Sequence, residues 1–329
     1  SIVLEHDGKQ KAVFTGDTLF IGDCGRPDLR PGNGDAKEAA NQLARQMYHS
    51  LRDKLMVLED DTIVYPAHGA GTLCGKNLST ESTSTLGQEK KTNWSLQEAD
   101  EEEFVKNLLA DQPFVPAYFP YDVELNKKGA QHMKESIAAV KKGDATNLSR
   151  DLWVVDVRKG DDFKEGHLPH SVNIQEDGKF ETWLGSIIKP DEQFYIAAKD
   201  EEQLQKVLTR VASIGYETAV ATSVVVRDGD VKEAELDVAL FRNHTTHYTI
   251  VDVRNKSEVE EGKIFENSIS IPLAELRGRT DEIPTNKPIV VHCAGGYRSA
   301  AASSLIHAKL GRGVSVFDLG EAVEEFLEK

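Results

Sequence analysis

Short apolar runs that stop at Gly, Asp or His recur along the chain, and they alternate with longer segments whose apolar residues return every three to four positions. Runs of the first kind predict strands and segments of the second kind predict helices, so the order implies an α/β protein. Ser1–Leu4 and Ala12–Phe14 read as strands, the second broken by Gly16, and Thr62–Pro66 as a third. Residues 34–52, from Gly34 to Arg52, read as a helix with Ala40, Leu43, Met47 and Leu51 on its inner face. Lys76–Thr92 is polar and predicts a surface loop. Ser95-Leu-Gln-Glu98 has capping-box spacing and predicts the start of a helix with Phe104, Val105, Leu108 and Leu109 as its apolar stripe, the acids Asp100–Glu103 facing water. Pro113, Pro116 and Pro120, interleaved with Phe114, Tyr118, Phe119 and Tyr121, predict a stiff extended arm whose aromatics pack between domains.

The last two hundred residues repeat themselves. Leu152–Arg158 matches Tyr248–Arg254, and Asp156, Arg158 and Gly166 recur in step at Asp252, Arg254 and Gly262. Each copy is a strand ending in Asp-Val-Arg, then an acidic helical segment and a Gly. Two parallel α/β domains follow, each with an Asp–Arg pair that braces a loop. The expected divisions are 1–112, a connector 113–130, 131–232 and 233–329.

The copies differ at one point. In the second, the strand Ile289–Val291 runs through His292 into Cys293-Ala294-Gly295-Gly296-Tyr297-Arg298-Ser299 and a helix to Leu310. A loop of small residues between strand and helix aims backbone N–H groups inward, and the helix N-terminus adds partial positive charge. Both favour an anion, here the Cys293 thiolate or its persulfide, and Arg298 supplies a cation to orient an anionic sulfur donor. A merely buried cysteine would leave the Gly pair and the Arg without purpose. The first copy has Phe194-Tyr-Ile-Ala-Ala-Lys-Asp-Glu-Glu202 in that place, and no cysteine lies between Cys74 and Cys293. It keeps the fold and lacks the nucleophile.

The Cys293 loop resembles the active-site loop of rhodaneses, sulfurtransferases that carry sulfane sulfur as a cysteine persulfide. Four residues separate Cys293 from Arg298, whereas the similar tyrosine phosphatases place five there. The resemblance implies catalysis by Cys293 and Arg298, with Ala294, Gly295, Gly296, Tyr297 and Ser299 forming the loop, and an inactive first copy like those of tandem sulfurtransferases. His167 and His170, in Gly-His-Leu-Pro-His-Ser, read as turn residues of this fold, and His244 and His247 as part of the loop entering the last domain.

Asp17 and His68 each stand just after a strand, where a side chain can project into a site. Asp17 alone reads more readily as a turn residue or helix cap; His68 at a second strand end makes a metal-binding pair plausible. Thr15–Phe20, Gly22-Asp-Cys-Gly-Arg-Pro-Asp28 and Tyr65-Pro-Ala-His-Gly69 resemble the second half of the metallo-β-lactamase αββα fold, and within it persulfide dioxygenases, with glyoxalase II as a cousin. The resemblance implies that Asp17 and His68 bind metal, Fe(II) in the complete protein or alternatively zinc, and that Arg26 meets the thiol cosubstrate. Cys24 and Cys74 read as non-catalytic. The family's H-x-H-x-D-H motif is missing from this sequence, so the site is incomplete, and Ser1 opening inside a strand suggests the back portion of a longer protein.

Composition sets outer bounds. With 39% hydrophobic and 29% charged residues the chain is of globular type. A net charge of −16 without a basic cluster argues against nucleic acid. There is no long apolar run for a membrane and no basic-then-apolar leader, and three scattered cysteines fit a reducing compartment, so the cytoplasm is the default. The expected partners are a low-molecular-weight thiol persulfide, sulfite and thiosulfate, with a homo-oligomer possible. The expected function is persulfide oxidation to sulfite coupled to sulfur transfer through Cys293; a glyoxalase II-like thioester hydrolase fused to rhodanese, or a non-catalytic scaffold, are the rivals.

Overall fold

A computed structural model describes residues 1–29, 36–70, 74–75, 78–110, 112 and 114–327; Gly34, Lys76 and Pro113 lie outside the described residues. The chain divides into two compact units, Ser1–Val115 and Pro116–Lys329.

The first unit is built on one sheet, in the order β1 (Ile2–His6), β2 (Lys9–Gly16), β3 (Ile63–Pro66) and β4 (Ser84–Thr85), in which only the β2–β3 pair is parallel. Strand alternation sends Val13 and Val64 inward, where they join Leu19, Leu51, Leu86, Phe104 and Leu108 in a core beneath the helices Ala36–His49 and Glu101–Leu109. The opposite face stays open: Ile2, Phe14 and Tyr65 lie side by side across three strands and are 72%, 47% and 38% exposed. In a two-sheet sandwich such a face is the inner one.

Two expectations fail here for local reasons. The polar stretch before Thr92 is not all loop, because Leu86–Thr92 is a helix capped by the Thr85 hydroxyl, with Leu86 fully buried. Its Glu89 is buried too, since the carboxylate accepts N–H bonds from Gly22 and Asn93, both at 2.9 Å. Ser95 caps nothing; the helix opens later, where Asp100 accepts the Glu103 N–H, so this acid is a cap and Glu101 pairs with Arg45. The inner face expected of residues 34–52 is largely core: Ala40 and Leu51 are buried and Met47 packs against the cluster, with Ala44 added and Leu43 half-buried.

In the second unit, Tyr118–Lys128 is a helix rather than an extended arm. Pro120 falls in its first turn, where a missing N–H has no intrahelical partner to lose. Tyr121 donates from its hydroxyl to the Gly215 carbonyl at 3.0 Å, so this segment packs on the first repeat. Both repeats are four-stranded all-parallel sheets of equivalent order. The first is β6 (Ser171–Asn173), β5 (Trp153–Asp156), β7 (Phe194–Ala198), β8 (Val220–Val225), and the second is β10 (Ile269–Ser270), β9 (Thr249–Asp252), β11 (Ile289–His292), β12 (Val316–Asp318). The central strands are buried along their whole length, as sheets covered on both faces require. Among the described residues no helix is long and apolar enough to cross a membrane.

The brace recurs atom for atom. Arg158 forks onto Asp156 and donates to the Gly166 carbonyl at 2.8 Å; Arg254 forks onto Asp252 and donates to the Gly262 carbonyl at 2.9 Å. Both aspartates are fully buried, and the paired guanidinium is what makes that burial tolerable.

Candidate active site

Cys293 follows β11 directly, at the carboxyl end of a central parallel strand, which is where open α/β sheets place their sites. Its Sγ accepts the Gly296 N–H at 3.2 Å. Gly296 has φ +91°, and a Cβ there would meet Glu321 N and Gly320 C at 3.1 Å, so both conformation and space require glycine. The Gly296 carbonyl is held in turn by the Ser299 hydroxyl and the Ala300 N–H, which locks the loop onto the helix Tyr297–Leu310. Cys293 is 1% exposed, and its immediate neighbour His292 is fully buried with neither ring nitrogen hydrogen-bonded among the described residues. Burial lowers the His292 pKa and keeps the ring neutral.

Arg298 is less free than the sequence suggests. Its guanidinium forks onto Glu258, at 2.5 and 2.8 Å, while the Cys293 sulfur also lies within its electrostatic reach. Glu258 arrives because Asn255 and Glu258 form a capping box on the helix Lys256–Glu261, just after the Asp252–Arg254 brace. Burial works to raise the Glu258 pKa, but Arg298 outweighs it and holds the carboxyl below its ordinary range. Tyr297 donates its hydroxyl to the Gln175 carbonyl at 2.6 Å, so the first repeat supports the loop of the second, and burial raises the phenol pKa.

The silent loop can be superposed by register. His292 pairs with Asp252, and Ala197 with Asp156, so Ala198 occupies the place of Cys293. Only Lys199 and Asp200 separate it from the next helix, Glu201–Ala212, against three residues in the active loop. Asp200 accepts the Gln203 N–H at 2.8 Å and so caps that helix with a carboxylate, where the second repeat has Gly296.

In the first unit, pairing of β2 with β3 sets Asp17 and His68 side by side, with Asp17 Oδ1 3.5 Å from His68 Nε2. Gly25 lets its loop close on this point, since a Cβ there would sit 1.8 Å from the Asp17 carbonyl oxygen. The Cys74 thiol, expected to be a bystander, joins them: its sulfur and the Asp17 and His68 ligand atoms lie within 4.8 Å of one another. His68 Nδ1 is buried without a hydrogen-bond partner among the described residues. A carboxylate, an imidazole and a thiol fit a divalent metal, and a thiol donor suits zinc at least as well as iron. Arg26 is placed otherwise than expected. Its side chain is 1% exposed and forks onto Asp28 at 2.7 and 2.8 Å, which braces its own loop. Cys24 is core.

The family model described as Rhodanese-like domain matches residues 136–233 and 234–328, together more than half of the chain. The chain belongs to the rhodanese-like family. Its first unit belongs with the metallo-β-lactamase fold. The crystal structure of a metallo-beta-lactamase from Staphylococcus aureus is 31% identical, with a TM-score of 0.57, over 66% of this rhodanese-like chain and 60% of that one. The persulfide dioxygenase ETHE1 of Mus musculus is 33% identical over 107 residues, 32% of this chain and 35% of that protein. A hydroxyacylglutathione hydrolase of Tolumonas auensis is 51% identical over 57 residues, 17% of each. The chain therefore spans less than two thirds of each of these relatives. It is a fusion of metallo-β-lactamase-fold sequence with two rhodanese-like repeats.

Proposed function

We propose that this protein handles sulfane sulfur: the first unit takes part in oxidising a low-molecular-weight thiol persulfide to sulfite, and the second repeat carries sulfur on Cys293 and passes it to sulfite as thiosulfate. The reading rests on the Cys293 sulfur at the end of β11, receiving the Gly296 N–H, with Arg298 beside it. In the transfer step the Cys293 thiolate attacks the outer sulfur of thiosulfate. The S–S bond breaks, sulfite leaves with the bonding pair, and the terminal sulfur of the new persulfide carries the negative charge that loop N–H groups stabilise. Delivery to sulfite is the same step reversed and needs no oxidant. Upstream, one persulfide, one dioxygen and one water balance to one thiol, one sulfite and two protons. A metal held at Asp17 and His68 would supply Lewis-acid or redox chemistry; those two residues present their donors from adjacent strand ends.

The deciding experiment is intact mass spectrometry of the chain after exposure to thiosulfate. The expected result is a gain of one sulfur atom that Cys293→Ser abolishes; no gain in the parent would overturn the reading in favour of a scaffold. The 3.5 Å approach of His68 to Asp17 also favours a second reading for the first unit, a two-metal thioester hydrolase. Oxygen uptake with glutathione persulfide by the iron-loaded protein supports the dioxygenase; thioester hydrolysis without it supports the hydrolase.

A further inference from the structure

We propose that His167, Glu233 and His307 form a second divalent-cation site, suited to zinc, that clasps the two rhodanese-like repeats together. His167 and Glu233 come from the first repeat, and His307 projects from the helix Tyr297–Leu310 of the second. Glu233 Oε1 lies 2.7 Å from His307 Nδ1 and 3.7 Å from His167 Nε2, and one ligand atom from each residue lies within 4.8 Å of the others. Zinc bonds of about 2.0–2.1 Å imply a tetrahedral edge of about 3.3 Å. The two distances straddle that value, so small side-chain adjustments complete the geometry.

The surroundings of His167 are what separate this cluster from an ordinary hydrogen-bonded trio. Its side chain is 5% exposed, and its Nδ1 lies 3.0 Å from the Phe163 carbonyl, an acceptor only. Nδ1 must therefore carry the proton, which leaves the Nε2 lone pair aimed toward Glu233 at a distance too long for a hydrogen bond. A ligating histidine that donates its other nitrogen to a backbone carbonyl is the usual second layer of a metal site. Phe163 stacks on the imidazole, 3.9 Å between centroids and 7° between planes, and fixes its direction. Glu233 is anchored as firmly: Val231 and His167 exchange backbone hydrogen bonds at 2.8 and 3.1 Å, and the Glu233 N–H binds the Lys164 carbonyl. A cavity of about 930 Å³ reaches Glu233 from outside and gives a hydrated ion a route to that carboxylate. Two imidazoles and a carboxylate select a borderline ion over calcium or magnesium. The proposal gives His167 a role beyond the structural one expected of it, and His170 stacks on Trp153 at 4.0 Å.

The test uses the full chain carrying Asp17→Asn and His68→Gln, so that the first unit's donors do not compete. Zinc retained after gel filtration is counted by elemental mass spectrometry, and cobalt is substituted for its visible spectrum. The expected result is one equivalent of zinc, cobalt ligand-field bands without a thiolate charge-transfer band, and a melting temperature raised several degrees by zinc. All three are lost in Glu233→Gln and in His307→Gln, whose side chains are 8% and 20% exposed, with folding checked by circular dichroism. No zinc uptake by the parent, uptake unchanged in both variants, or a thiolate band in the cobalt spectrum would each overturn the proposal.

Discussion

The two repeats share sheet order, the Asp–Arg fork and the carbonyl that each fork grips, yet one presents a thiol in a loop of amide donors and the other an alanine beside a carboxylate. What they share lies in the strands and the brace, where a change costs stability. What they do not share lies in the few residues between a strand end and a helix start, where a change costs only chemistry. A duplicated domain can therefore change its loop chemistry without losing its fold. The first repeat also supports the second, since Gln175 holds the Tyr297 hydroxyl of the Cys293 loop.

The strongest way to break the comparison is to cut the brace in each copy. Asp156→Asn and Asp252→Asn both leave a buried guanidinium without its counter-charge, and each is expected to lower stability by about 3–5 kcal/mol in denaturant titrations. Their effects on sulfur uptake should part: per folded molecule the Asp156 variant keeps it, and the Asp252 variant loses much of it, because Arg254 and Glu258 share one turn behind Arg298. Equal loss in both would mean that the repeats act as one unit.

A smaller effect sharpens the difference electrostatically. Arg298 holds the Glu258 pKa below its unfolded value, so the pair's contribution is fully present above about pH 4.3 and disappears as pH falls through the lower folded value. The corresponding position of the first repeat, Asp162, has no Arg at the head of the next helix. Glu258→Gln should therefore flatten the acid limb of stability between about pH 5 and pH 3, measured by urea titration at each pH.

How much of this was legible in the sequence depended on how far apart the partners lie. Cys293, the Gly pair and Arg298 are neighbours in one loop, so strand, nucleophile and cradle could be read together. Asp17 and His68 could be paired because both follow apolar strands that end alike. Glu258 could not be assigned to Arg298, forty positions away, although Asn255-x-x-Glu258 did spell a capping box. Cys74, Glu233 and His307 join their clusters only through tertiary contacts. Polar composition hid the helix after Thr85, where one buried Leu and one satisfied Glu were enough, and the three prolines hid the helix Tyr118–Lys128 because Pro120 sits where helices accept it.

The smallest expected effect is the most instructive one: restoring a thiol to the silent loop. Ala198→Cys in a Cys293→Ser background puts sulfur at the end of β7, in register with the active position. The loop ahead of it is a residue shorter, has no glycine with positive φ to turn an N–H inward, and carries Asp200 as the helix cap. A carboxylate two residues from the new sulfur repels a thiolate, and no amide is turned toward it as that of Gly296 is toward Cys293, so no sulfur uptake from thiosulfate is expected by intact mass. Adding Asp200→Gly removes the charge but not the missing residue, and should restore little. Uptake by the single replacement would show that a thiol at a strand end suffices, and that the Gly296 amide is not what makes the second repeat active.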